Sequence, residues 1–106
     1  MTWIEGRQGG GYLKWTIFQF WRFDCHILKY PEGTGVRWHT DPVPGRRHFR
    51  LNIMIKMPQK GGAFRIRGYA IMNFSFMNLF RPDLRPHAVE VVEKGERLVL
   101  SLGAAL

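Results

Sequence analysis

The sequence predicts an all-β domain of the jelly-roll type, an antiparallel sandwich or barrel. Three observations carry that expectation. Apolar runs of strand length recur at short spacing, they are separated by Gly, Pro and charged clusters, and none keeps a helical period over about ten residues.

Taken in order, Gly9-Gly10-Gly11 leads into Tyr12 to Phe23, long enough for one strand or two. Cys25 to Tyr30 is a compact strand that stops at Pro31-Glu32-Gly33, residues suited to a turn. Val36 to Thr40 follows, then a loop carrying Pro42, Pro44 and Gly45. Phe49 to Met57 alternates imperfectly, and Gly61-Gly62 turns the chain into Phe64 to Arg67. Ala70 to Phe80 is aromatic, and Pro82 to Pro86 is a loop. Ala88 to Val92 and Arg97 to Leu102 are expected to pair as a hairpin across Glu93-Lys94-Gly95-Glu96. That makes about seven or eight strands. With no internal repeat or composition break, residues 1–106 are expected to form one domain.

Composition narrows the class. Apolar residues make up 45% and aromatic residues 14%, which excludes a disordered chain. Aromatic residues crowd into Trp15 to Phe23 and Phe74 to Phe80, so a thin core is expected, with room for a homodimer to hide apolar surface. Lys and Arg outnumber acids 16 to 8, a net charge of +8 that favours an anionic partner. Cys25 is the only cysteine, which excludes an internal disulfide and a cysteine zinc site and points to a reducing, cytoplasmic setting. No run approaches the roughly 18 apolar residues of a membrane helix, and no signal peptide is expected.

The chemistry concentrates in His39-Thr40-Asp41, His87 and Arg97, which lies ten residues after His87. Residues two apart on a strand share a face, so His39 and Asp41 are able to reach one ion. Two imidazoles and a carboxylate occupy one face of a non-haem iron(II) and leave the other open. A guanidinium then suits a dicarboxylic acid, which it grips through a bidentate pair. Arg97, expected across the hairpin from His87, would lie near that site. His26 reads as an ordinary strand residue and His48 as part of a basic loop.

On these residues the segment from Cys25 to Arg97 resembles the catalytic core of the iron(II)/2-oxoglutarate-dependent oxygenases, most closely their prolyl-hydroxylase-like branch. The matching positions are Tyr30-Pro31, Gly33, Gly35, His39-Thr40-Asp41, Arg50-Leu51-Asn52, Gly61-Gly62, Phe80, Pro82, His87, Val89, Gly95 and Arg97. The resemblance implies a double-stranded β-helix, cupin-like and here a minimal core. It implies His39, Asp41 and His87 as ligands to Fe(II), with 2-oxoglutarate and O2 as co-substrates. Arg97 would hold the distal carboxylate of 2-oxoglutarate, Tyr30 would hydrogen-bond it, and Asn52 would point into the barrel. Relatives often carry Ser two residues after that Arg; here the position is Val99, while Ser101 shares the strand face with Arg97. Relatives also carry helices ahead of the barrel, whereas the residues before Cys25 read as strand.

The implied reaction is a hydroxylation, or a demethylation through it, with release of succinate and carbon dioxide. A carboxylate at Asp41 fills the position that halogenating relatives leave for a halide. Arg50 and Arg85, with the other loop arginines, and Trp38 are the candidates for substrate binding. They favour nucleic acid, a nucleotide or an acidic peptide. Two other readings use the same residues: a cupin-like metal-binding or non-catalytic sensor domain, and a small basic nucleic-acid-binding β-barrel.

Overall fold

A computed structural model of the chain describes residues 3–6 and 10–106. Among these residues there are twelve strands and no helix. They are β1 (Ile4–Glu5), β2 (Leu13–Phe20), β3 (Phe23–Tyr30), β4 (Val36–His39), β5 (His48–Lys56), β6 (Lys60–Gly61), β7 (Phe64–Ile66), β8 (Met72–Asn73), β9 (Met77–Phe80), β10 (His87–Val89), β11 (Val92–Lys94) and β12 (Arg97–Ala105). A seven-stranded sheet runs β1-β2-β3-β12-β5-β9-β8, and a three-stranded sheet runs β4-β10-β7. Both sheets line one cavity of about 370 Å³. The fold is an all-β, cupin-like double-stranded β-helix.

The structure divides two stretches that the sequence left open, and one expected pairing fails. Tyr12 to Phe23 is interrupted by a tight turn at Trp21-Arg22, because Phe20 pairs with Phe23. The aromatic stretch Ala70 to Phe80 holds two strands, β8 and β9. The expected hairpin between Ala88–Val92 and Arg97–Leu102 does not form. β10 pairs with β4 and β7, β11 pairs with β6, and β12 inserts between β3 and β5. Gly95 and Glu96 therefore link β11, which forms a two-stranded sheet with β6, to β12 in the seven-stranded sheet. A turn signal of that kind fixes a local reversal, while partner choice depends on where each apolar face must go.

The large sheet has an unusual polarity. In β12 the alternate residues Arg97, Val99, Ser101 and Gly103 are buried, and Leu98, Leu100 and Leu102 are only partly so. Register places Asp24 and Arg50 opposite Gly103, and His26 and Asn52 opposite Ser101. The inner face is thus largely polar at one end of the barrel. At the other end it is closed by Tyr12, Tyr30, Val36, Val89, Val92 and Val99. Tyr12 and Tyr30 stack there with ring centroids 5.1 Å apart. The outer face carries Phe18, Phe20, Phe23, Phe49, Leu51, Leu79 and Leu102 around a shallow apolar groove.

Gly103 is required by this packing. A Cβ there would lie 2.6 Å from Asp24 Oδ2 and closer still to Arg50 Nη2. Arg50 Nη2 donates to Asp24 Oδ1 at 2.8 Å, so the added methyl would have to break or displace a partly buried ion pair. Gly103→Ala is expected to cost roughly 1–3 kcal/mol in chemical denaturation. An unchanged midpoint would mean that the pair moves aside without loss.

Candidate metal centre

His39 ends β4 and His87 begins β10, and the two are direct partners across that ladder. Asp41 lies just past β4, where its backbone N–H donates to the Pro82 carbonyl at 2.8 Å. This brings together the three residues singled out in the sequence. One ligand atom from each of His39, Asp41 and His87 lies within 4.8 Å of the others, a cluster able to hold a metal ion. Asp41 Oδ2 is 3.4 Å from His39 Nε2 and 3.3 Å from His87 Nε2.

The imidazoles are oriented by backbone. His39 Nδ1 donates to the Arg37 carbonyl at 2.6 Å, and His87 Nδ1 donates to the Arg85 carbonyl at 2.9 Å. With the proton on Nδ1, the Nε2 lone pair of each ring is directed at the shared point, the tautomer a metal ligand needs. Phe80 meets the His87 ring edge-on at 4.9 Å and Phe64 lies 6.2 Å away, so apolar side chains back this wall. Burial opposes charge on His39, but the Asp41 carboxylate and the Arg37 carbonyl outweigh it and raise its pKa. Burial likewise opposes ionisation of Asp41, yet the two imidazoles hold its carboxyl well below the usual carboxylate range. An ionised carboxylate beside two oriented nitrogens matches a borderline divalent cation such as iron(II). Manganese, cobalt, nickel and zinc suit the same donors.

The remaining predicted residues are distributed around the same cavity or its rim. Arg97 is 3% exposed, and its guanidinium carbon lies 5.0 Å from the Tyr30 ring centroid. It also hydrogen-bonds the Tyr30 hydroxyl. Burial pushes the Tyr30 phenol up to about 12, so it stays protonated. Asn52 points inward, and its buried Oδ1 has no hydrogen-bond partner among the described residues. Trp38 is exposed outside the barrel with the Arg67 guanidinium 4.8 Å over its ring. Arg85 packs over Tyr69 at 4.7 Å.

Arg50 and His48 require correction. Neither belongs to a loop at the mouth: both lie on β5 and line the cavity. Arg50 donates to Asp24 and, through Nη1, to Ser101 Oγ at 2.8 Å. His48 Nδ1 donates to the Asp41 carbonyl at 2.9 Å, and its Nε2 accepts from Arg50 at 3.3 Å. Burial pulls the His48 pKa down, consistent with a neutral ring wedged between a donor and an acceptor.

Sequence reasoning missed Asp24 and His26, which complete this polar wall. His26 Nε2 is 3.1 Å from Asp24 Oδ1, and its Nδ1 is 2.9 Å from Thr16 Oγ1. The spacing of 24, 26, 28 and 30 on one strand, ending in the inward Tyr30, was the available signal. Burial raises the Asp24 pKa, but His26 and Arg50 outweigh it and bring it to about 2 from 3.8. Because the folded value is depressed, the stabilisation is complete above pH 3.8 and is lost as pH falls through about 2. Its size is on the order of 2 kcal/mol. Thermal midpoints measured across that acid range should fall more steeply for the wild type than for Asp24→Asn; parallel curves would refute the assignment.

Comparison with known proteins gives the fold class and stops there. No protein-family model matches the chain, and neither does any curated protein sequence. Solved structures do match. A Pseudomonas putida prolyl-4-hydroxylase superposes with a TM-score of 0.72 at 19% identity, covering 97% of this chain and 76% of that one. KdgF from Halomonas sp. gives 0.66 at 14% identity, covering 100% and 89%. The cupin domain of Schizosaccharomyces pombe Cnp3 gives 0.65 at 9% identity, covering 90% and 65%. The chain is therefore similar to cupin-fold proteins that include enzymes and, on this barrel, it carries a possible His-Asp-His metal site. No helix among the described residues is long and apolar enough to cross a membrane.

Proposed function

We propose that the protein is an iron(II)- and 2-oxoglutarate-dependent dioxygenase that hydroxylates its substrate, or demethylates it through hydroxylation, releasing succinate and carbon dioxide. The observation that carries this reading is Arg97. A guanidinium 3% exposed has no carboxylate partner among the described residues. A buried, uncompensated cation is costly unless an anion joins it. Arg97 shares its cavity with the His39, Asp41 and His87 cluster, so a dicarboxylate able to chelate a metal at one end and pair with Arg97 at the other answers both features.

In this reading the bound iron would supply activation of dioxygen and decarboxylation of the 2-oxo acid. The chain's own residues do the rest. His39, Asp41 and His87 would be the residues that hold the ion. Arg97 anchors the far carboxylate, Tyr30 keeps the guanidinium in place by stacking and hydrogen bonding, and the Tyr12–Tyr30 stack excludes water from that end. Asn52 Oδ1 is an acceptor available inside the cavity.

The test is anaerobic addition of iron(II) and 2-oxoglutarate, watching for the visible charge-transfer band of the chelate. A folded protein that binds metal without that band would instead support the cupin-like metal-binding or sensor reading. The apolar outer face of the large sheet supports a homodimer, which sedimentation velocity would detect.

A further inference from the structure

We propose that the metal-bearing end of the barrel binds single-stranded nucleic acid, through bases stacked on exposed aromatic rings and phosphates paired with arginines. That such a strand is also the oxidised substrate rests on the oxygenase reading; the binding does not.

The first observation is charge segregation. Strand ends and cross-links bring the segments 21–22, 40–47, 67–71 and 81–86 to one end: Phe20 pairs with Phe23, Ala105 with His48, and His39 with His87. Asp41 bonds Pro82, and Arg67 bonds Pro86. These segments carry Arg22, Arg46, Arg47, Arg67, Arg81 and Arg85, and no lysine. Their two acids are already engaged, Asp41 between the imidazoles and Asp83 with Arg81 at 2.6 Å. At the opposite end lysines pair with glutamates, Lys29 and Lys56 with Glu96 and Lys60 with Glu93. Six arginines against two engaged acids steer an anion towards the metal cluster, and arginine alone combines phosphate pairing with stacking.

The second observation is that three exposed rings at this end are each partnered by a guanidinium. Arg22 lies 4.8 Å from the Trp21 ring, Arg67 4.8 Å from Trp38 and Arg85 4.7 Å from Tyr69. Trp21 and Tyr69 are each 77% exposed and Trp38 is 46% exposed. A ring beside a cation repeats the two halves of a nucleotide, base and phosphate. The exposed Phe18 and Phe20 of the outer sheet face lie in an apolar groove without such partners.

The third observation is local strain at the mouth. Trp21 has φ 52°, the only positive value at a non-glycine residue among those described. A bulky side chain there costs free energy that glycine would not. Trp21 nevertheless occupies the turn, and it lines the metal-bearing cavity together with Arg22. Arg22 Nε is buried without an acceptor among the described residues. Unpaired bases are required, since three rings on separate segments, the Trp21 turn, the end of β4 and the Tyr69 loop, offer stacking platforms but no helix or ribbon to enter a duplex groove. An acidic peptide would satisfy the arginines and leave the rings without a role.

Fluorescence anisotropy on the full chain tests this, with a labelled oligothymidylate of about 12 nucleotides and a labelled oligoglutamate of equal charge, at about 50 to 200 mM salt. The expected result is tighter binding of the oligothymidylate. Trp21→Gly, which relieves the backbone strain, should weaken it at least about fivefold without changing the salt slope. Arg85→Ala should lower that slope by about 0.7, and Lys94→Ala at the other end should leave it unchanged. Equal or tighter oligoglutamate binding, or an undiminished affinity in a folded Trp21→Gly protein, would overturn the proposal. Reading the 2-oxoglutarate chelate band on the same samples separates the two claims. A band without oligothymidylate binding sinks the nucleic-acid surface alone, and binding without a band sinks the oxygenase reading alone.

Discussion

Arg97→Met is expected to abolish productive 2-oxoglutarate binding while making the ligand-free protein more stable. Both halves follow from one fact, a guanidinium buried to 3% exposure with an aromatic ring beside it and no carboxylate partner among the described residues. Burial alone draws its pKa down, and only Tyr30 works in the other direction. Methionine has similar length and volume and no charge to desolvate, so ligand-free stability should rise by roughly 1–4 kcal/mol. Loss of a buried charge-assisted pair should weaken 2-oxoglutarate by roughly 2–5 kcal/mol, a factor of about 30 or more. Thermal denaturation with and without 2-oxoglutarate and metal measures both. Wild-type protein should gain stability with ligand and the variant should not. A variant less stable than the wild type and equally responsive to 2-oxoglutarate would show that Arg97 is structural.

His87→Ala should remove metal binding. His87 is the most enclosed of the three proposed ligands, 7% exposed beside Phe80 and Phe64, and its Nδ1 is fixed by the Arg85 carbonyl. Loss of outer partners that merely orient a ligand already lowers metal affinity about 10- to 100-fold, so deletion of a ligand should exceed about 100-fold. The variant also leaves a cavity and an unpaired carbonyl, costing on the order of 2–4 kcal/mol. His87→Gln, which fills more of that space, separates the effects: it should recover stability without recovering metal affinity. Anaerobic calorimetric titration of iron(II) into each protein is the measurement. Wild-type affinity in either variant would remove His87 from the site.

The alternation of short apolar runs with Gly and Pro was enough to predict an all-β chain, because strand period and turn chemistry are local properties. The proximity of His39 and Asp41 was legible for the same reason, whereas the inward direction of Asn52 was implied only by the family resemblance. Partner choice was less accessible. The Glu93-Lys94-Gly95-Glu96 turn looks like a hairpin, yet β12 pairs with β3 and β5. In β12 the apolar Leu98, Leu100 and Leu102 alternate with Arg97, Ser101 and Gly103, and the usual rule would bury the leucines. The barrel reverses that rule because its interior holds a polar cavity.

By itself, then, the sequence determined the fold class, the three candidate metal ligands and the cation ten residues beyond His87, all of which depend on spacing along one chain. Only the tertiary structure decided that Arg97 is buried without an anion, that Asp24, His26, His48 and Arg50 form a polar wall inside the cavity, and that loop arginines and aromatic rings collect at the metal-bearing end. These last features join residues from strands and loops far apart in sequence. Their energies come from burial and from charges brought within a few ångströms, quantities that are undefined until the sheets have closed around one another.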